Sequence, residues 1–575
     1  MNTLQKSLLL LIFFTLSLFS TPTTETNTTT ISPISTELKE AFKKKPSKLL
    51  QTISHKKFLK KFYKHNHYNT LWIEGETLNL KKTAILFNLI RNDITLTKQG
   101  TLSTTAQLLE KSLDNNVTHV ALLQEELKLT SLYREFLRHT LYGEIKWKQF
   151  SYTLSYLKKS KINASWIRNK APQKITTLLL QEDLNKTIEE ITPKKFGYQR
   201  LLKALKILNQ HKKNGGWDKL NKFKKIKLGS RGDSVLKLRK RLIQSGDYQI
   251  CEEQNSTNIN LTQKADSNNT IAILNIKKDS LFDSCLNTAV KKFQKRHGLV
   301  VDGVVGKGTQ KVLNISVDEK IRKVLLNIDR IKWLPRDENK RYIVVNIPEF
   351  MLHYIEDGVN KQKLRVITGD RRHPTPIFSE SISFVVLNPY WKVPEGIVKR
   401  EVIPKMIENP NYLRKQGLEA HTSWHENSPV VDTSLIYWED YLYEGTKFPY
   451  RLMQPPGPRN ALGKIKFKFP NRFSVYLHDT PTRYLFKRTS RAFSHGCVRV
   501  SKPRKLLDTI ASFNSNINLS KAKKILKGKR KKQLNLKEKL RIYLVYLTAG
   551  MDDEGNLQFR NDIYRYDKYQ KRIVR

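Results

Sequence analysis

Cysteine is almost absent from this chain. Three cysteines in 575 residues are too few for a disulfide framework or a zinc-ribbon protein. No apolar run reaches the roughly 18–20 residues that a membrane span needs. Acidic residues are scarce beside basic ones, 52 Asp+Glu against 105 Lys+Arg, so the formal net charge is +53. Hydrophobic residues make up 39% and aromatics 10%, too much apolar content for a disordered polycation. At roughly 150 residues per domain the length implies three to five domains. What remains is a large, basic, multidomain globular protein.

The positive charge is spread along the whole chain, as a compositional bias would spread it. The exception is 521–532, KAKKILKGKRKK, where eight of twelve residues are basic. It reads first as a solvated loop, and second as a contact for an anionic polymer or a membrane surface. No nucleic-acid motif accompanies it.

The N-terminus points to export. Lys6 supplies a short positive region, residues 7–19 (SLLLLIFFTLSLF) have the length of a signal h-region, and Ser20 and Thr21 are small residues where cleavage could occur. Residues 1–20 are thus expected to be a signal peptide or anchor, and the Thr-, Ser- and Pro-rich residues 21–36 a linker.

Residues 37–222 carry apolar side chains at three- and four-residue spacings with Lys and Glu between them, over 104–113, 120–141 and 174–211. The expectation is a helical scaffold; Leu201, Leu202, Leu205 and Leu208 form one such stripe. Residues 223–316 differ. Asp233 or Ser234 can cap a helix whose apolar face is Val235, Leu238 and Leu242. A second helix from near Asp283 aligns Leu286, Ala289, Val290 and Phe293 and stops at Gly298. A turn at Asp302-Gly303 then leads to a short third helix. This pattern resembles the three-helix peptidoglycan-binding domain of exported cell-wall enzymes. A polar, Asn-rich insertion, 249–280, departs from it; Cys251 lies at its start and Cys285 beyond its end, a pair that an oxidising compartment could bridge. Residues 317–338 are expected to be a connecting helix. From 339 to 575 short β-branched and aromatic runs, broken by Gly and Pro, indicate a mainly β domain, with an irregular Tyr- and Trp-rich insertion at about 411–455.

The chemistry concentrates in 475–500, VYLHDTPTRYLFKRTSRAFSHGCVRV. Cys497 follows Ser494, His495 and Gly496, precedes Arg499, and lies nineteen residues after His478. A thiol nucleophile needs a base or a cation that favours thiolate, and a histidine on a neighbouring strand can serve. Gly496 lets the backbone approach closely, so amide N–H groups can meet a developing oxyanion. The competing readings are a structural cysteine and a metal site from His478, Asp479, His495 and Cys497; a His and Cys two apart on a strand make a poor tetrahedral pair.

H-x15-S-H-G-C-x-R resembles the signature of the YkuD-type L,D-transpeptidase catalytic domain. RIKWLP at 330–335, YIVVNIPEF at 342–350, PTPIFSESISFVVLNPYWKVP at 374–394, QPPGPRNALGKIKF at 454–467 and the tail LQFRNDIY are similar to the large periplasmic YcbB-type enzymes. The resemblance implies a multidomain α+β protein: helical scaffold, three-helix peptidoglycan-binding domain and mainly β catalytic domain. It implies Cys497 as nucleophile and His478 as general base. His495, Gly496 and Cys497 would form an oxyanion hole, and Arg499 would hold the loop or a substrate carboxylate. Tyr476 and Trp391 would line the substrate cleft, the 411–455 insertion would cap it, and Ser494 would orient the loop. The implied reaction joins peptidoglycan stem peptides 3→3 through a thioester, with no metal or cofactor, in the periplasm. The implied partners are the stem peptides and glycan, and the chain is expected to act as a monomer. The alternatives are an L,D-carboxypeptidase and a non-catalytic wall-binding scaffold.

Overall fold

The computed structural model describes residues 33–43, 50–97, 100–113, 118–248, 280–443 and 445–570. The expected signal segment, most of the linker, and most of the 249–280 insertion with Cys251 lie outside the described residues. Residues 33–36, expected as linker, open a helix instead (Pro33–Lys43), which buries Ile34, Leu38 and Phe42. Among the described residues no helix is long and apolar enough to cross a membrane.

Two compact units divide the chain. One comprises Met1–Leu80 and Leu113–Ser131, the other Lys81–Ser112 and Leu132–Arg575. The first unit is organised around a buried carboxylate: Glu126 has no exposure and accepts hydrogen bonds from Tyr63 Oη at 2.6 Å and from the backbone N–H groups of Leu71 and Trp72 at 2.7 and 2.9 Å. A buried charge is tolerable only when saturated in this way.

The second unit holds the remaining elements. The stretch 174–211, read as one helical pattern, is three helices, Ile175–Leu179, Leu184–Ile191 and Tyr198–Lys213. Asp183 caps the second through Lys186 N, and Gly197, with φ of 75°, starts the third. Of the expected stripe, Leu201, Leu205 and Leu208 are buried against Val324, Leu325, Ile328 and Ile331 of the connecting helix Val317–Lys332, and Leu202 packs on that core partly buried. That helix opens with a reciprocal Ser316–Glu319 capping box.

The three-helix module consists of Asp233–Gln244, Ser284–Arg296 and Lys307–Leu313. Its core contains the side chains expected from the sequence, Val235, Leu238, Leu242, Leu286, Ala289, Val290 and Phe293. Asp283 caps the second helix by accepting from Leu286 N at 2.6 Å. The first helix differs from expectation: Gly232 stands at its N-cap position with no side-chain cap, and Asp233 is already helical. Gln294 explains why a glutamine precedes the Asp-Gly turn: its Oε1 accepts from Asp302 N and Gly303 N at 3.1 and 2.9 Å. Cys285 is disulfide-bonded.

The C-terminal domain is built on nine strands: β1 (Arg341–Asn346), β2 (Met351–Glu356), β3 (Val359–Gly369), β4 (Phe378–Leu387), β5 (Ile465–Lys468), β6 (Leu477–His478), β7 (Ala492–Ser494), β8 (Val498–Val500) and β9 (Lys532–Val545). Their order is β7-β3-β8-β6-β5-β4-β9-β1-β2, and β2 also pairs with β3, so the sheet closes on itself. Alternation along the strands fills the interior with Ile343, Val345, Leu352, Val366, Val385, Ile465, Phe467, Leu477, Val498 and Val500. The helix Pro503–Ala511 adds Leu506, Leu507 and Ile510 to the same core.

Two expectations change here. The basic stretch 521–532 is not a loop: Asn518 caps a helix, Leu519–Lys527, that buries Ala522 and Leu526, and β9 begins at Lys532. Apolar residues four apart override the charge pattern. The insertion is not irregular either. Trp391–Lys392, Glu419–His421, Val430–Val431 and Arg451–Gln454 form a separate four-stranded sheet. With short helices between 395 and 416 it has its own core of Val393, Val402, Ile403, Met406, Leu452 and Phe448. It thus starts some twenty residues earlier than composition suggested, by count from Trp391 to 411.

Candidate active site

Strand register assembles the site. β5 pairs antiparallel with β6, setting Lys466 opposite His478, and β6 pairs parallel with β8, setting Leu477 opposite Val498 and His478 opposite Arg499. Val498 N donates to Tyr476 O at 3.1 Å, so Tyr476 stands level with Cys497. Because alternate residues share a face, Lys466 and Lys468, Tyr476 and His478, and Cys497 and Arg499 form three adjacent pairs on one side of the sheet. The intervening Phe467, Leu477 and Val498 are fully buried on the other side. The sequence motif is the projection of this face onto one dimension.

His478 is 4% exposed, and its Nδ1 lies 2.6 Å from the Asp479 carbonyl oxygen. A carbonyl only accepts, so Nδ1 carries the proton and Nε2 keeps its lone pair. Burial, followed by the Arg499 charge, holds the imidazole down to about 3, so it is neutral at ordinary pH. Asp479 is fixed in turn, its carboxylate accepting from Lys464 N, Thr480 N and Arg483 Nη2 at 3.0, 2.8 and 2.8 Å. Those bonds leave Asp479 committed to structure, and among the described residues no group of three or more His, Cys, Asp or Glu is arranged to hold a metal.

Cys497 is a free, half-buried thiol. Burial pushes it up, while the backbone at Tyr476 and the Lys466 ammonium pull it back. Tyr476 packs edge-on to His478, ring centroids 5.6 Å apart, and its hydroxyl is pushed well up by burial and then by Cys497. Arg499 reaches Thr482 Oγ1 at 3.3 Å.

The 494–497 loop is held from several directions. Ser494 Oγ donates to Cys497 O at 2.5 Å and accepts from Gly496 N at 3.3 Å. The Gly496 amide is therefore directed into the loop, whereas no hydrogen bond from the Cys497 amide is formed among the described residues. Gly496 has φ of 108°, a left-handed value that favours glycine. Its carbonyl accepts from Thr375 Oγ1 at 2.8 Å, and Thr375 Oγ1 accepts from Gly369 N at 2.8 Å. Tyr564 closes the network, its hydroxyl donating to Gly369 O at 2.6 Å and accepting from Thr375 N at 3.1 Å. A Cβ on Gly369 would meet His373 O at 2.0 Å, so glycine is needed there for close approach.

His495 points away from this core. Its Nε2 lies 2.5 Å from Glu401 Oε1, and its ring lies 4.5 Å from that of His373. His373 in turn meets Asp370 Oδ1 at 3.2 Å. Sequence reasoning missed Thr375, Tyr564, Glu401 and His373. Thr375 and His373 sit at or beside the PTP run, but nothing in the spacing ties them to residues some 120 positions away. Of the eight residues expected from the sequence, the structure gathers Cys497, His478, Tyr476, Arg499, Ser494 and Gly496, while His495 shares the loop but turns its ring to Glu401. Trp391 instead pairs with Gln454 in the insertion's sheet and packs on that core.

Residues 340–525 match the family model described as L,D-transpeptidase catalytic domain, YkuD. Residues 231–313 match a peptidoglycan-binding domain model and 57–205 a scaffold domain model. The chain carries a YkuD L,D-transpeptidase catalytic domain. Alongside it stand the helical scaffold and the peptidoglycan-binding domain, the multidomain architecture expected from the sequence. The YkuD assignment agrees with a similarity to a Haemophilus influenzae protein named "Putative L,D-transpeptidase", 34% identical over 260 residues, which are 45% of this chain. The match spans about half, 50%, of that relative's length. Among solved structures, an L,D-transpeptidase of Xylanimonas cellulosilytica matches at 16% identity over 57% of this chain and 100% of its own, with a TM-score of 0.16. One from Stackebrandtia nassauensis matches at 17% identity over 56% and 94%, with a TM-score of 0.20. The assignment of the YkuD domain rests on the sequence matches.

Proposed function

We propose that this protein is an L,D-transpeptidase that forms 3→3 cross-links between peptidoglycan stem peptides through a Cys497 thioester. The observation that carries the proposal is the fixed tautomer of His478, on the strand beside the one that Cys497 precedes. The Asp479 carbonyl holds the proton on Nδ1, which leaves Nε2 as the base. The resting pair is a neutral thiol and a neutral imidazole, so proton transfer accompanies attack.

In the first step Cys497 Sγ attacks the carbonyl carbon of the stem's third residue while His478 takes the thiol proton. The tetrahedral intermediate collapses, the C–N bond breaks, and His478 returns the proton to the departing D-Ala amine. In the second step the side-chain amine of another stem's third residue attacks the thioester, His478 accepts its proton, the C–S bond breaks, and His478 returns the proton to the departing Cys497 sulfur. The Cys497 N–H, unclaimed in the resting loop, is the best-placed oxyanion donor; the Gly496 N–H can join only by releasing Ser494 Oγ. This narrows the three-residue oxyanion hole expected from the sequence. Ser494 orients the loop, and Arg499 beside His478 keeps the imidazole unprotonated. His495 acts through Glu401 as a link to the residues around 401. The Trp391–Gln454 substructure is the natural cap to exclude water and favour amine over hydrolysis. The peptidoglycan-binding domain would hold the glycan, in the periplasm reached by the N-terminal signal.

Incubating the full chain and its Cys497→Ala variant with a purified stem tetrapeptide dimer, and weighing the products, tests the proposal. Cross-linked product with released D-Ala supports transpeptidation. D-Ala with water addition indicates a carboxypeptidase, and binding without turnover indicates a scaffold.

A further inference from the structure

The face that carries Cys497 also carries two cations that form no ion pair with a carboxylate among the described residues. Lys466 Nζ lies 3.9 Å from the Tyr476 ring centroid and Lys468 Nζ 5.6 Å from the same centroid. Tyr476 is the residue level with Cys497, so both ammoniums stand beside the nucleophile. Neither forms a salt bridge or donates a hydrogen bond among the described residues. Their neighbours are otherwise engaged: Lys392 donates to Trp424 O at 2.6 Å, and Lys531 pairs with Glu426. Burial first and then Lys468 pull Lys466 down to about 8, against the opposing pull of Cys497 and with smaller contributions from Lys392 and Lys531, the response of a buried ammonium crowded by like charge. Half-buried like charges repel one another, and an anion between them would relieve that repulsion.

We propose that Lys466 and Lys468 form a carboxylate-recognition subsite that seats an acidic peptide beside Cys497. The idea rests on the transpeptidase reading for the identity of the peptide, whose stem carries carboxylates both within the chain and at its C-terminus. Strand geometry makes the pair suited to this task. Lys466 and Lys468 are two residues apart on β5, some 6–7 Å along the strand, a span over which two ammoniums can engage one carboxylate or two adjacent ones. The aromatic ring beneath them fixes the ammoniums without neutralising them.

Binding measured apart from turnover tests the subsite. The full chain carrying Cys497→Ala is titrated calorimetrically with three synthetic stem tetrapeptides: all carboxylates free, internal carboxylates amidated, and C-terminal carboxylate amidated. The expected result is about tenfold weaker binding of one amidated peptide, the scale of a charge-assisted contact. Adding Lys468→Met or Lys466→Met should weaken the free peptide about tenfold and leave that amidated peptide unaffected, while Lys468→Arg should restore discrimination. Which amidation matters identifies the recognised carboxylate. Equal affinity for all three peptides, or equal losses on all three after Lys→Met, overturns the subsite. D-Ala release by the unmodified chain is scored separately. Release without discrimination sinks the subsite and leaves the transpeptidase reading standing; discrimination without release does the reverse.

Discussion

Valine in place of Thr375 removes one hydroxyl and keeps the side-chain volume. That hydroxyl has no exposure, donates to Gly496 O and accepts from Gly369 N, both at 2.8 Å. Valine would leave a buried carbonyl and a buried N–H without partners. Each orphaned group costs about 1–3 kcal/mol, so the substitution should cost about 2–6 kcal/mol if the loop stays in place. The loop can recover part of this by moving Gly496 O toward water, and a shift near 1 Å at the reacting atoms is worth about 100-fold in rate. Thr375→Val is therefore expected to lower the melting temperature of the catalytic domain and to slow D-Ala release in a single-turnover assay. Thr375→Ser, which keeps the hydroxyl, should retain most of the rate. A Thr375→Val protein with unchanged melting and unchanged single-turnover rate would refute the role given to the Thr375–Gly496 contact.

Below pH 6.5 the unfolded chain protonates His478 while the folded chain, with the group held to about 3, does not. Stability contributed by the neutral imidazole is thus present above 6.5 and lost as pH falls toward 3, at up to about 1.4 kcal/mol per pH unit. Denaturant melts at pH 7 and pH 5 should show a smaller loss in His478→Gln than in the unmodified chain; equal losses would mean that the folded imidazole titrates normally. In single-turnover acylation His478→Ala should be slower by roughly 100-fold or more, the range for loss of a general base. His495→Ala and Glu401→Ala should be milder and alike, since the two side chains are one hydrogen-bonded unit, and the reverse ranking would mean that the histidine roles are exchanged.

Elements whose signals are local were legible in the sequence. The apolar face of Ser284–Arg296 and its start near Asp283 follow from spacing within one helix. His478 and Cys497 could be paired because a short intervening stretch returns the chain to the neighbouring strand. The Lys466 and Lys468 pair was not legible, because two lysines on a Lys-rich chain mean nothing until the β5–β6 register sets Lys466 opposite His478. Thr375 and Tyr564 were hidden for the same reason: they support Gly496 across the closed sheet, and no periodicity encodes a contact between segments so far apart. Trp391 packs on the small core of the insertion's sheet, a placement that composition does not distinguish from a cleft wall, because an aromatic beside a strand signal fits both. The 521–532 stretch was misread because its charge concealed the two apolar residues, Ala522 and Leu526, that fold it.

The central claim is that Cys497 is the nucleophile of an organised site. A carbapenem presents a strained, activated carbonyl to a thiolate, and intact-mass analysis followed by peptide mapping reports how many molecules attach and where. Cys497 is free and stands beside His478, the proposed base, whereas Cys285 is already disulfide-bonded. One adduct per chain is expected, on Cys497, and none in the Cys497→Ala variant. Adducts distributed over Cys251, Cys285 and Cys497, or a Cys497→Ala protein that is acylated as readily as the unmodified chain, would contradict it.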